Sequence, residues 1–173
     1  MAELDAYGTH LAPLLAALAG SQGDVLECGA GHYSTPLLHA LCGAQGRQLL
    51  TLEAKAPWLE TFADLRCDWH RLEAVGSWDA YPWERVDVAV ALVDHDVHRA
   101  PVVRALRGRA RFVVAHDTEA SCSGYGDAFE AYDWAWTYER YSTWATIAGM
   151  GLRPAWLEAA LSPGRPCAPR PYR

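Results

Sequence analysis

Six acidic or imidazole side chains stand directly after runs of apolar residues, where buried strands are expected to end: Glu27, Glu53, Asp94, His95, His116 and Asp117. Carboxylates accept hydrogen bonds from an ammonium group or from hydroxyls. A histidine near its ordinary pKa exchanges a proton close to neutral pH. Because ligands bind beyond the carboxyl ends of parallel strands, this distribution predicts a ligand site that contains groups for proton transfer.

A glycine turn follows the first of these acids. An apolar segment ends at Glu27, and a Gly-x-Gly turn comes next at Gly29 and Gly31. Thr35 and Pro36 then have the residue types of an N-cap and a first helical residue. Glycine lets the backbone approach a ligand closely, and a helix start offers N–H groups. The segment therefore predicts a site for a nucleotide-like ligand.

The same segment lacks the signals of a phosphate site. Ser34 stands where a dinucleotide site has its third glycine, and no Lys-Ser/Thr pair follows the turn as in a P-loop. The acid at the end of the strand suits a ligand that carries an ammonium group or hydroxyls instead. Glu53 ends the next predicted strand, about 20 residues beyond the glycines, where an acid accepts hydrogen bonds from ribose hydroxyls.

The turn resembles motif I of class I S-adenosylmethionine (SAM) dependent methyltransferases, whose pattern is acid-x-Gly-x-Gly. The resemblance spans about residues 7 to 150 and rests on residues 25–31, 52–53, 92–94 and 112–119. Residues 31–38, 114–119 and 144–147 are similar to a narrower group of small bacterial methyltransferase-like proteins of unassigned substrate. The resemblance implies SAM as the cofactor, with Glu27, Gly29 and Gly31 at its amino-acid part and Glu53 at its ribose.

Four more residues are expected to contact the cofactor. Tyr33 and Ser34 follow the glycines, Trp78 is placed to stack on the adenine after the third strand, and Asp94 ends the fourth strand. The bulk of Tyr33 and the serine at position 34 depart from the family pattern, which affects the detailed pose of the cofactor rather than the existence of the pocket.

Methyl transfer requires a deprotonated acceptor, held in line with the donor. We expect His95 or His116 to be the general base, with Asp117 as its orienting partner or a second base. The short link after the fifth strand favours a small acceptor, methylated on oxygen or nitrogen. Two alternatives remain open: SAM cleavage or metal-dependent chemistry in the same pocket, and a non-catalytic SAM-binding, nucleoside-binding or scaffold subunit.

Hard ligands for a divalent ion also occur near these positions, at Asp94, Asp96, His98, His116 and Asp117. Catechol-type methyltransferases, however, place Asp-Asn or Asp-Asp at the end of strand five, whereas this chain reads His-Asp-Thr there. The sequence therefore predicts no metal.

Predicted strands and helices alternate along the chain, which indicates a parallel, doubly wound α/β sheet. Strands are expected at 25–28, 48–53, 70–75, 86–93 and 111–115, and helices at 7–19 (capped by Thr9), 36–42, 57–66 and 101–107. The aromatic residues of 134–147 predict a closing antiparallel pair. The expected fold is a Rossmann-like, mostly parallel seven-strand sheet with an antiparallel C-terminal hairpin, in one domain over residues 1–161, followed by a flexible Pro/Arg-rich tail over 162–173.

Composition narrows the partners. The net charge of −6 and the pI near 5.6 argue against a broad nucleic-acid surface, so no nucleic acid is expected. No apolar run reaches membrane-spanning length, and no basic segment suggests a secretory signal. Five cysteines without a Cys-x-x-Cys pair suit reduced thiols in the cytoplasm. The exposed aromatic hairpin could support a homodimer.

Overall fold

The computed structural model describes residues 6–119, 124–140 and 143–161. Its centre is a seven-stranded sheet of order β3-β2-β1-β4-β5-β7-β6. The strands are β1 Val25–Cys28, β2 Leu49–Glu53, β3 His70–Ala74, β4 Val88–Val93, β5 Ala110–His116, β6 Trp134–Tyr138 and β7 Ala145–Gly149. Strands β1 to β5 pair in parallel, and β7 is antiparallel to both of its neighbours. The predicted fold class and the C-terminal hairpin are confirmed.

Helices cover both faces of the sheet. They are α1 Leu11–Ala19, α2 Ser34–Gln45, the short α3 Ala56–Leu59, α4 Arg99–Ala105 and α5 Ala155–Leu161, with 3-10 turns at Ala6–Gly8, Glu60–Leu65, Trp83–Arg85 and Ala128–Ala131. Among the described residues, every helix is too short or too polar to cross a membrane. The tail predicted over 162–173 lies outside the described residues.

Alternate side chains of the central strands pack into two separate hydrophobic cores, one on each face of the sheet. Val90 and Leu92 of β4 pack with α1, α2 and α5, whereas Ala91 and Val93 of the same strand pack on the opposite face with α4. This two-sided burial explains why β4 reads as an almost continuous apolar run. The polar residues at the strand ends thus follow strands that are packed on both faces.

Two predicted helix caps are wrong. Helix α1 begins after His10, and the Thr9 hydroxyl is instead hydrogen-bonded to His116 and Thr143. Helix α2 begins at Ser34, so Thr35 lies inside its first turn and its hydroxyl accepts a hydrogen bond from the Gly31 N–H at 2.8 Å. In both places another contact uses the hydroxyl that the local pattern would assign to a cap: a long-range one at Thr9 and one to the preceding glycine loop at Thr35.

Candidate functional site

A cavity of about 930 Å³ lies at the carboxyl ends of the parallel strands. That volume is within the range of roughly 300–1,000 Å³ typical of small-molecule sites. Its walls come from the segment before α1, from the loops after β1, β2, β4 and β5, and from Thr143 before β7: Tyr7, His10, Ala30, Gly31, His32, Tyr33, Ser34, Glu53, Lys55, Trp58, Asp94, His95, Asp96, Arg99, His116, Asp117 and Thr143.

Gly29 brings two of these loops into contact. Its φ of 101° lies in the region that side chains rarely adopt, and a Cβ there would come within 2.5 Å of the Asp94 carbonyl oxygen. The Gly29 N–H donates to the Leu52 carbonyl at 2.8 Å. Glycine at this position therefore lets the loop after β1 pass directly beside the loop after β4. Gly29 shapes the cavity from behind and does not line it.

Glu27 supports the glycine loop from below. Its side chain is fully buried, and its Oε2 atom accepts hydrogen bonds from the hydroxyls of Thr35 at 2.9 Å and Thr51 at 2.7 Å. Burial raises the pKa of Glu27 to about 7, although hydrogen bonds from Ser34, Thr51 and Thr35 oppose the rise. Glu27 is not part of the cavity wall, so its predicted place at the amino-acid part of the cofactor stays a prediction.

Glu53 lines the cavity and ties two loops together. Its Oε2 atom accepts a hydrogen bond from the Ala30 N–H at 3.0 Å, and Oε1 accepts one from the Lys55 N–H at 2.8 Å. Each carboxylate oxygen has a second lone pair, so both can accept a further hydrogen bond from a ligand hydroxyl. The acid at the end of β2 is thus held in a fixed orientation toward the glycine loop.

The loop after β2 closes the same side of the cavity through two further contacts. The Trp58 indole N–H donates to the Ala30 carbonyl at 2.7 Å. Lys55 forms an ion pair with Asp96 at 2.9 Å, which joins the loops after β2 and β4 at the exposed edge of the cavity. Both loops are thereby connected to the glycine loop that lies between them.

A charged network forms the opposite end of the cavity, where the loops after β4 and β5 meet. Arg99 is at its centre and contacts Asp94 Oδ1 at 3.2 Å and Asp117 Oδ2 at 2.9 Å. The same guanidinium donates to the carbonyls of His95 and His116. Asp117 adopts a φ of 52°, which aspartate tolerates better than most residues. This network orients both carboxylates toward the cavity.

His116 is held by both ring nitrogens. Nδ1 lies 3.1 Å from Asp94 Oδ1, and Nε2 lies 2.8 Å from the Thr9 hydroxyl and 3.5 Å from Asp117 Oδ1. Burial alone lowers the pKa of His116, but the hydrogen bond and the charge of Asp94 outweigh it and raise the pKa. A raised pKa makes this imidazole a stronger proton acceptor.

His95 is part of the cavity wall, whereas Trp78 is not. Their rings stack on each other with centroids 4.1 Å apart, and Trp78 is buried behind His95 instead of lining the cavity. The predicted stacking of Trp78 on a ligand is therefore replaced by stacking on a histidine. Burial, followed by the charge of Arg99, lowers the pKa of His95 to about 4. His95 is therefore a weaker proton acceptor than His116.

The cavity brings together eight of the eleven residues predicted for the site: Gly31, Tyr33, Ser34, Glu53, Asp94, His95, His116 and Asp117. Glu27, Gly29 and Trp78 lie behind its wall. The predicted set lacked Arg99, Lys55 and Trp58, which also line the cavity. A charged residue shortly after a strand-end acid is a local signal for Arg99, whereas nothing local distinguishes Trp58 from an ordinary core tryptophan.

Comparisons with known proteins agree with the fold described above. No family model and no curated protein sequence matches the chain. Among solved structures, a METTL16 MTase domain matches with a TM-score of 0.58 and 11% identity, over 82% of this chain and 67% of that one. The human methyltransferase 10 domain containing protein matches with a TM-score of 0.54 and 12% identity, over 86% and 85%.

WbdD, solved with the kinase inhibitor LY294002, matches with a TM-score of 0.56 and 10% identity. The match covers 80% of this chain but only 40% of WbdD, so the chain spans less than half the length of that protein. The predicted resemblance to class I SAM-dependent methyltransferases is confirmed at the level of the fold. The METTL16 MTase domain and the human methyltransferase 10 domain containing protein are methyltransferases by name, and at these identities the likeness shows a shared fold.

One prediction about partners is wrong. The acidic net charge led us to exclude nucleic acid, but the structures that share this fold include the METTL16 MTase domains and the human methyltransferase 10 domain containing protein. Net charge sums the whole surface, whereas a binding site depends on the local charge around one cavity. The value of −6 therefore does not exclude a nucleic-acid partner.

Proposed function

We propose that the protein transfers the methyl group of SAM to an oxygen or nitrogen atom of a small-molecule acceptor. One observation carries the proposal: a single cavity joins Glu53 and the glycine loop at one end to the network of Asp94, Arg99, His116 and Asp117 at the other. The first end suits a nucleoside, and the second offers groups that can accept a proton. Donor and acceptor would thus meet in one cavity.

The residues at the glycine end fit the cofactor that this fold implies. The backbone at Gly29 passes too close to Asp94 for any side chain, which leaves a cradle beside Gly31 and Ser34. Glu53 offers two oriented oxygens for ribose hydroxyls. Tyr33 and Asp94 complete the set that would hold the cofactor. When bound, SAM supplies an electrophilic methyl group on a sulfonium.

The far end of the cavity supplies the proton acceptor. His116 is favoured because the carboxylate of Asp94 contacts its Nδ1 and raises its pKa. Asp117 lies 3.5 Å from His116 Nε2, so it can orient the imidazole or receive the proton itself. His95 remains a weaker candidate, since its ring is stacked on Trp78. Arg99 holds both aspartates and acts as a positioning residue.

Titration calorimetry with SAM and with S-adenosylhomocysteine tests the cofactor part. We expect Glu53→Gln to weaken SAM binding by roughly 10- to 100-fold, because a hydrogen bond to a charged group contributes about 1.5–3 kcal/mol. The matched control is Glu84→Gln, which removes an exposed carboxylate outside the cavity. Wild-type SAM affinity in the Glu53 variant would contradict the proposed ribose contact.

A screen of metabolite extracts for methylated products identifies the methyl acceptor. Turnover with that methyl acceptor then tests which residue accepts the proton. We expect His116→Gln to lower turnover by roughly 10²- to 10⁴-fold, the usual contribution of a general base, while SAM affinity stays unchanged. His39→Gln, at a histidine outside the cavity, is the control. Unchanged turnover in the His116 variant would remove this residue from the reaction. Formation of methylthioadenosine instead of S-adenosylhomocysteine would favour SAM cleavage.

A further inference from the structure

Three side chains from distant parts of the chain meet at the proton-accepting end of the cavity. His10 precedes α1, Asp94 follows β4 and His116 ends β5. Each offers one ligand atom, and these atoms all lie within 4.8 Å of one another. We propose that His10, Asp94 and His116 form a binding site for a divalent first-row transition-metal ion.

The distances suit such an ion. His116 Nδ1 lies 3.1 Å from Asp94 Oδ1, and His10 Nδ1 lies 3.8 Å from Asp94 Oδ2. An ion bound at about 2.0–2.2 Å from each ligand requires ligand atoms separated by roughly 3–3.5 Å. The ligand atoms, which all lie within 4.8 Å of one another, would move closer together on binding the ion. The two carboxylate oxygens of Asp94 face one histidine each, so the carboxylate lies between the two imidazoles.

His10 provides the independent indication that a ligand belongs here. Its ring is 1% exposed, and within the described part of the chain neither of its nitrogens has a hydrogen-bond partner. Burying a polar ring without partners is unfavourable, so such a residue calls for an explanation. Its ring lies edge-on to that of His116, with centroids 4.7 Å apart, and it lines the cavity. A bound ion would give one of these nitrogens the partner that it lacks.

The ligand types point to the class of ion. Two imidazoles and one carboxylate suit Zn²⁺, Fe²⁺ or Co²⁺, whereas Mg²⁺ and Ca²⁺ prefer oxygen ligands. Arg99 is the one neighbouring cation that contacts Asp94 among the described residues, and its charge is shared with Asp117. Three protein ligands leave coordination positions open toward the cavity. The site therefore has the ligand number of a catalytic metal centre.

A role for the ion rests on the proposed function. The open positions would bind the acceptor hydroxyl or amine and make its proton easier to remove. An ion on His116 Nδ1 would leave the single proton of the neutral imidazole on Nε2, so in the metal form Asp117 would receive the proton of the acceptor. The metal site itself does not depend on this role, because binding of the ion and binding of SAM are measured separately.

Titration of the metal-free chain with Co²⁺, followed by visible absorption, tests the site. We expect saturation of a single site whose spectrum indicates nitrogen and oxygen ligands. His10→Phe keeps an aromatic ring but removes both nitrogens. It should weaken binding by more than about 100-fold, since loss of an outer-shell partner alone costs 10- to 100-fold. His39→Phe is the matched control, because it removes one imidazole from the other close histidine pair, His39 and His70. It should bind Co²⁺ as the wild type does.

Two results would overturn the proposal. One is a wild-type titration with no saturable site, or with a thiolate spectrum that reports cysteine ligands. The other is Co²⁺ affinity in His10→Phe equal to that of the wild type. Should His10→Phe not fold, the wild-type spectrum and a rise in melting temperature with added Zn²⁺ still decide the question. Calorimetry with SAM on the metal-free chain shows separately whether the cofactor site is intact.

Discussion

Replacing Gly29 by alanine tests the contact on which the shape of the cavity depends. The residue has a φ of 101°, and an added Cβ would lie 2.5 Å from the Asp94 carbonyl oxygen and 2.6 Å from the His95 nitrogen. Adopting the unfavourable backbone conformation costs about 1–2 kcal/mol. Displacing a neighbouring backbone in a packed region costs about 1–3 kcal/mol more. We therefore expect Gly29→Ala to lower the free energy of unfolding by roughly 2–5 kcal/mol.

Gly46→Ala separates the two contributions. Gly46 also has a positive φ, 66°, at the end of α2, but a Cβ there would meet no atom within 4 Å. Its substitution should cost only about 1 kcal/mol from the backbone. Urea denaturation of both variants measures the difference, and an unchanged slope would confirm that the unfolding transition remains comparable. Equal losses in the two variants would refute the close contact between the glycine loop and Asp94.

Two further predictions concern buried charges. The folded pKa of Glu27 is about 7, above its ordinary value of 4.5, so the folded state binds more protons than the unfolded state between these values. The stability that this group contributes is complete below about pH 4.5 and is lost as the pH rises through 7, by up to about 3 kcal/mol. Glu27→Gln should lack this loss, which urea denaturation at pH 5 and pH 8 measures. The same pH dependence in the wild type and the variant would contradict this prediction. In Arg99→Lys the ammonium group cannot contact Asp94, Asp117 and two carbonyls at once. We therefore expect the free energy of unfolding, again measured by urea denaturation, to fall by about 1.5–3 kcal/mol for each charged hydrogen bond that is lost. The exposed pair of Arg66 and Glu60 supplies the control, because Arg66→Lys should cause no measurable change in the free energy of unfolding. An equally small effect of Arg99→Lys would mean that the network around Arg99 does not stabilise the fold.

The strands and the polar residues at their ends follow from local patterns. A strand covered on both faces is a continuous apolar run, as in residues 88–93, and such a run ends where a polar residue can reach solvent. Alternation with helices then requires parallel pairing, which gathers Glu53, Asp94 and His116 at one edge of the sheet. The glycines after Glu27 are equally local, because only glycine allows the turn at position 29. These features could therefore be predicted without a structure.

What each polar side chain does was decided by tertiary contacts between loops. Glu27 turns under the glycine loop because Thr51 is its neighbour across the parallel pair, and Trp78 stacks on His95 because the loops after β3 and β4 meet. His10 reaches Asp94 only because α1 packs near the centre of the sheet. A pattern of residues in sequence specifies periodicity and strand ends, whereas the distance between atoms more than 80 positions apart depends on how whole elements pack. The sequence alone thus determined the sheet and the edge that holds the site, and the tertiary structure decided which residues face the cavity and which support it from behind.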